Sequence, residues 1–472
     1  MLWEQQVRYA ALTDVGFRRQ NNQDACVVQL APDQETWQQR GHLFVVADGM
    51  GGHAVGELAS KIAVDTIPHT FDKLRQLNAK DALWAAIEAA NSAIYERGMQ
   101  NKDFLRMGTT CSALLLCPQG AIVGHVGDSR VYRIRNRLID QLSCDHSLVW
   151  ELIQQRKVHP RDAERMCPRN VITRSLGPEQ AVQVDMEGPF PVLPGDTFVV
   201  CSDGLCGLLS DSEIGMIASE LPPTEASRLL VHLSNLRGGP DNITVIVVRA
   251  GEIPEGAGNS DEDIPVRTGG VGWWGYALMC LLAAFFLFGL SMVMLDPQQR
   301  AAGIGLISVS LAMSATWFII SRVRKKPVDH TRSPDPGSTI VWRPYRTASA
   351  RITEEFLQYL ARMEGELQKA AMDENWAIDW KVLNDVYRKA SDFLTRKRFS
   401  KAMLEFSRVF DILMVGVHTH RKQIQHESRW GKGRWAGRRP QARPGSRPRR
   451  TSRRPRTRRW SRLCPSRRAA AW

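Results

Sequence analysis

Several signatures of chemistry are missing from this 472-residue chain. Its nine cysteines include no Cys-x2-Cys pair, which excludes a zinc knuckle or a thioredoxin-type dithiol. They are odd in number and mostly adjoin apolar runs, so reduced, buried thiols and a reducing compartment are expected. No GxxxxGK[ST] loop is present to cradle a nucleotide phosphate. The first residues, MLWEQQVRYA, lack the charged-then-apolar pattern of a signal peptide. Acidic residues are absent from 429–472, and that absence explains the net charge of +14. Residues 421–472 carry 19 Lys+Arg against Glu427 alone, leaving 44 basic and 48 acidic groups in the other 420 residues. The body is slightly acidic, which excludes a whole-chain nucleic-acid binder. With 43% hydrophobic and 24% charged residues, 36 Gly and 24 Pro, collagen, a disulfide miniprotein and a wholly disordered chain are also excluded.

What is present divides the chain. Residues 1–250 read as one mixed domain with strand-like runs at 42–49, 111–116, 121–142, 196–204 and 242–250. The run 121–142 breaks at Arg135-Asn136, suggesting successive antiparallel strands. Helix-like stretches at 54–67 and 79–98 lie between; in the second, Leu83, Ile87, Ala90 and Ile94 share a face. The fold class is α+β. Residues 251–270 form a Gly/Pro/acidic linker. Two uncharged stretches follow, 271–295 and 301–321, separated by DPQQR and followed by Arg322, Arg324, Lys325 and Lys326. Their lengths predict two transmembrane helices, and the basic cluster predicts a multi-pass protein of the cell (inner) membrane with both soluble regions cytoplasmic. A linker (327–350) and a small helical region (351–420) complete the body.

Asp48-Gly49 closes HLFVVADG, Asp203-Gly204 closes DTFVVCSDG, and Asp241-Asn242 opens NITVIVV. Asp24 follows RRQNNQ, and Asp128 sits in GHVGDSR. Any one Asp-Gly is commonly just a turn. Their joint placement at strand ends, without His or Cys companions, describes an oxygen-only site suited to magnesium or manganese. A glycine beside the acid also lets a backbone carbonyl reach a metal.

The ordered segments TDVGFRRQNNQDA, VVADGMGGHAVGELAS, GTT, GHVGDSRVYRI, ITRSLG, VVCSDGLCGLLSD and GGPDNITVIVV resemble the metal-dependent (PPM, type 2C) serine/threonine protein phosphatases, bacterial branch, over residues 5–250. The resemblance implies a sandwich of two antiparallel sheets flanked by helices. It implies that Asp48, Asp203 and Asp241, with the Gly49 carbonyl, hold two divalent cations, manganese or magnesium. By the same resemblance Asp24 holds the attacking water, Asp128 serves a weak third metal, and Arg19 clamps phosphate, with Arg18 its nearest rival. His53 is read as structural. Gly207 departs from relatives that carry an acid four positions beyond the Asp203 equivalent, which weakens the third site. No cysteine has Arg six positions on, so the sequence favours direct attack by water over a cysteinyl-phosphate route.

The expected function is a membrane-anchored phosphatase of phosphoserine and phosphothreonine proteins, opposed by a serine/threonine kinase. The alternative is a catalytically weak receptor or scaffold that recognises phosphoproteins. The tail from 421 is expected to be disordered. It reads as a polybasic arm for anionic lipid, as a nucleic-acid contact (an unlikely partner for the body), or as a G/C-rich gene translated out of frame.

Overall fold

The computed structural model describes residues 7–51, 54–155, 157–158, 171–251, 273–295, 300–323 and 344–434. It divides into two compact units, 1–257 with 344–472, and 258–343. His53, most of the 251–270 linker, the 296–299 turn, the 324–326 cluster and the tail from 435 lie outside the described residues.

In the first unit two antiparallel sheets are stacked. One runs β1 (Arg8–Asp14), β11 (Ile243–Arg249), β10 (Thr197–Cys201), β7 (Arg130–Arg135), β8 (Leu138–Gln141), β12 (Arg346–Ser349). The other runs β2 (Asp24–Gln29), β3 (His42–Met50), β5 (Cys111–Cys117), β6 (Gly120–Val126), β9 (Asp185–Phe190), with β4 (Gly108–Thr109) on β3. The central strands are apolar on both faces, which a sheet covered on both sides requires. In β3, Leu43, Val45 and Ala47 join the cluster beneath helices Ala54–Lys73 and Ala79–Met99. The alternate residues Phe44 and Val46, like Phe198 and Val200 of β10, are buried outside that cluster, on the faces that the two sheets turn to each other. Tyr9 of one sheet meets Phe44 of the other edge to face at 6.1 Å.

The break expected at Arg135-Asn136 is a two-residue hairpin turn. Asn136 and Arg137 have φ of 50° and 58°, the left-handed pair that matches strand twist. A second break was not anticipated: β6 and β7 belong to different sheets, and the chain crosses between them at Gly127–Ser129, carrying Asp128.

The helical region expected at 351–420 packs in the same unit as residues 1–250, and the expected linker contains β12, paired with β8. Helices Glu354–Asp373, Trp380–Thr395 and Phe399–Arg434 share one buried cluster with helices Asp211–Glu220 and Pro223–Leu236, including Leu230, Leu233, Phe406, Phe410 and Leu413. His232 and Asp411 join them polarly at 2.9 Å. Disorder expected from 421 is corrected in part, because the last helix continues to Arg434; Arg, Lys, Gln and Glu are good helix formers.

The second unit contains helices Trp273–Leu295 and Arg300–Val323, where the spans 271–295 and 301–321 were expected. Among the described residues, no helix is long and apolar enough to cross a membrane. Side chains are described there only for 281–294, 301–311 and 313. Where the two helices meet, a Cβ on Gly303 would stand 2.8 Å from the Gly289 carbonyl oxygen, and the Ser310 hydroxyl donates to the Leu282 carbonyl at 2.8 Å.

Candidate active site

Both sheets deliver carboxylates to one end of the sandwich. Asp24 opens β2 and stands opposite Asp48 of β3 in the strand register. Asp203 follows β10, Asp241 precedes β11, and Asp128 lies at the inter-sheet crossing. Burial pushes the Asp48 and Asp203 carboxyls up, Asp24 up to about 6 and Asp128 up to about 8. Mutual repulsion adds to it: Asp24, Asp203, Asp128 and Asp241 all raise Asp48. Thus all five predicted acids share one electrostatic neighbourhood. Asp24 Oδ1 and Asp128 Oδ1 are buried without a hydrogen-bond partner.

The supporting shell accounts for motifs that carry no acid. Thr110 Oγ1 accepts the Asp48 amide at 2.9 Å and lies 2.8 Å from Ser129 Oγ, tying β3 to the Asp128 turn. Thr109 Oγ1 donates to the Asp48 carbonyl at 2.9 Å. Ser202 donates to Asp24 Oδ2 at 2.7 Å and accepts the Thr244 amide at 2.9 Å. Asn242 donates to the carbonyls of Val15 and Asn21 at 2.9 and 3.0 Å and accepts the Gln23 amide at 2.8 Å, so one side chain folds the loop that carries Arg19. None of Ser202, Thr110 and Asn242 was singled out in sequence. Ser202 and Asn242 had one signal, their position beside Asp203 and Asp241; Thr110 had only its place in the GTT segment.

Two glycines fit where no side chain would. A Cβ on Gly49 would lie 2.0 Å from the Gly56 carbonyl oxygen. Gly16, at φ +79°, lets its loop close on Asp241, whose carbonyl oxygen would be 2.1 Å from a Cβ. Gly207 is different: its φ of −76° is ordinary, but a Cβ would sit 2.7 Å from the Asp203 carbonyl oxygen. An acid there would press on the backbone of a site carboxylate.

At the rim Arg19 Nη2 donates to Asp241 Oδ2 at 2.7 Å, with Arg19 46% exposed. That hydrogen bond, more than any other influence, raises the Arg19 pKa. Arg18 lies by Gly238 instead, its Nη2 4.0 Å from where a Cβ of that glycine would be. Three of the described cysteines are poor nucleophiles: burial pushes Cys111 up to about 12 and raises Cys26, and the bond to Cys201 followed by burial raises Cys206, keeping these thiols protonated.

A model of the family "Protein phosphatase 2C" matches residues 18–227. Protein phosphatase PhpP of Streptococcus pneumoniae is 36% identical over 252 residues, 51% of this chain and 96% of that protein. The chain belongs to the protein phosphatase 2C family. Serine/threonine protein phosphatase PstP of Mycobacterium tuberculosis is 34% identical over 243 residues, 51% of this chain and 44% of that one. A crystal structure of the PstP catalytic domain in complex with two manganese ions is 32% identical, covers 52% of this chain and 99% of its own, and superposes with a TM-score of 0.45. The helices that follow residue 343 lie outside the family match.

The donor set fits divalent cations. All five side chains are carboxylates, two of their oxygens are orphaned, and the repulsion among them falls when positive charge arrives. Among the described residues, no three His, Cys, Asp or Glu side chains close on one point. Magnesium and manganese do not need that, because they retain several waters and take one or two carboxylates each.

Proposed function

We propose that this 2C-family phosphatase hydrolyses phosphoserine and phosphothreonine on proteins by direct attack of water, in a site that takes two divalent cations. The carrying observation is the five-carboxylate cluster spanning both sheets, buried at Asp24 and Asp128 and partly exposed at Asp48, Asp203 and Asp241, with a guanidinium at its rim. Asp48, Asp203 and Asp241, with the Gly49 carbonyl, would hold manganese or magnesium, and Asp128 a weaker third ion. When bound, the cations supply Lewis acidity and make a water acidic enough to act near neutral pH. The chain's own groups do the rest. Asp24 orients the attacking water through its free Oδ1, its other oxygen being held by Ser202. Arg19 presents its fork to the phosphate oxygens and stabilises their charge as the ester breaks. The expected cellular counterpart is a serine/threonine kinase acting on the same proteins.

Although no helix is long and apolar enough to cross a membrane over its described residues, we further infer from the sequence that the second unit anchors the enzyme as a membrane hairpin. Residues 271–295 hold no charge over 25 positions. Outward side chains such as Leu287, Phe288, Met294, Ile304 and Val309 are more than half exposed, an apolar surface that lipid would cover. Small residues pack the two helices and Ser310 is bonded inside, as association in lipid favours.

The full chain in detergent, given a phosphothreonine peptide and manganese, should release phosphate; a chelator should stop it. Asp203→Asn should lower kcat several-hundredfold or more, roughly 4 kcal/mol of barrier. Turnover indifferent to chelation, or near-normal turnover by the variant, would refute the reading.

A further inference from the structure

A cavity of about 380 Å³ lies beside Arg19, between the loop Asp14–Gln20 and the helix Phe399–Arg434. Its wall includes Asp14, Phe17, Arg19, His418, Arg421 and Lys422. The three helix residues fall at i, i+3 and i+4, so one face of the helix addresses the loop. Arg421 Nη2 donates to the Phe17 carbonyl at 2.6 Å, and its guanidinium carbon stacks 3.8 Å from the Phe17 ring centroid. The His418 ring meets the same phenyl edge to face at 5.8 Å.

This guanidinium is held without being neutralised. Among the described residues no carboxylate forms an ion pair with Arg421 or Lys422. Burial lowers the Arg421 pKa, and Asp14 alone opposes that. Asp14, the only acid in the wall, already accepts at Oδ1 from the Gly16 amide at 2.8 Å and Asn235 Nδ2 at 3.0 Å. Of the three cationic side chains in the wall, Arg19 is already paired with Asp241 at 2.7 Å, which leaves Arg421 and Lys422 facing Asp14. A stacked arginine keeps its fork in place at little further entropic cost, which is how carboxylates and phosphates are recognised.

We propose that the cavity is a subsite for a second anionic side chain, carboxylate or phosphate, flanking the phosphoresidue of the protein substrate. It rests on the phosphatase reading above and adds to it a specificity determinant supplied by a helix outside the family match. Arg19 belongs to both the wall and the rim of the carboxylate cluster, so a peptide bound at one reaches the other. The second anion binds and does not react, so its effect belongs in KM.

The test compares three phosphothreonine peptides on the full chain with manganese: one with neutral neighbours, one with a nearby glutamate, one with a nearby non-hydrolysable phosphonate. The wild type should favour the anionic peptides about five- to tenfold in kcat/KM, which one or two partly buried charge pairs supply. The preference should shrink at high salt. In Lys422→Ala, which removes no hydrogen bond to the loop, and in Arg421→Ala, it should fall to within twofold of unity. In Lys389→Ala, an exposed site on the helix Trp380–Thr395, it should persist. Fluorescence anisotropy of a peptide bearing phosphonates at both positions should rank the variants in the same order without turnover. A glutamate effect equal to the phosphonate effect assigns a general anion site, and a phosphonate effect alone assigns a phosphate site; both support the proposal. Equal kcat/KM for neutral and anionic peptides, or a preference that survives both substitutions, overturns the subsite while leaving the phosphatase reading intact. Failure to hydrolyse any peptide overturns both.

Discussion

A buried acid outside the active site shows how far burial alone can move a carboxyl in this fold. Glu364 lies in the helix Glu354–Asp373 at 1% exposure, with Gln368 as its hydrogen-bond donor and Tyr387 nearby. Burial pushes its carboxyl up to about 7 from the usual 4.5, while the Gln368 bond partly opposes that. The folded chain therefore keeps a proton that the unfolded chain loses. The stability this supports is complete below pH 4.5 and is lost as pH rises towards 7. Glu364→Gln, which is neutral at every pH, should stabilise the protein by about 3 kcal/mol at pH 8 and change little at pH 4. Thermal melts of both proteins at the two pH values decide it. A substitution effect of equal size at both would show that packing, not ionisation, sets the cost.

At the scale of elements, legibility followed physical isolation. Strands β3, β5, β10 and β11 are buried on both faces, so their unbroken apolar runs announced them. Helix Ala79–Met99 was visible through Leu83, Ile87, Ala90 and Ile94, all now buried against the second sheet. Strand β12, RTAS, has no apolar run because it is an edge strand; backbone pairing to β8 and the Thr347–Asp140 bond at 2.7 Å define it. No periodicity could have signalled that. Asp48, Asp128, Asp203 and Asp241 stood out because each adjoins or lies within a readable apolar run, whereas Asp24 opens β2, a strand the sequence did not announce. Their supports, Ser202, Thr110 and Asn242, act through single hydrogen bonds across elements, which spacing does not encode. The proposed hairpin carries its own prediction at this scale. Reporter fusions after residues 260, 299 and 330 should read inside, outside, inside, from the basic residues at 322–326. An outside signal at 260 would reverse the orientation, and three inside signals would remove the spans.

For the molecule as a whole, the decisive fact is that the chain leaves the phosphatase sandwich at 257 and returns to it at 344. The returning helices do not form a core of their own. Phe406 and Phe410, both fully buried, belong to the same cluster as Leu205, two residues beyond Asp203, and as Ile243, two residues beyond Asp241. If that cluster melts as one cooperative unit, damage near the end of the described chain must be felt at the acids nearly two hundred residues away. Phe410→Ala should cost about 3–5 kcal/mol, the usual range for a buried phenylalanine whose cavity cannot collapse. Its consequence is specific: phosphatase activity in the full chain should be lost at a lower temperature, coincident with the loss of helical circular dichroism. Turnover at 20 °C on a neutral peptide would be retained, because no group at the carboxylates is removed. A separate early transition for the helices, with activity lost at the wild-type temperature, would mean that residues 344–434 fold independently of the sandwich. In that event the wall supplied by Arg421 and Lys422 would be optional to the enzyme, and the single transition is what ties the anion subsite to the catalytic fold.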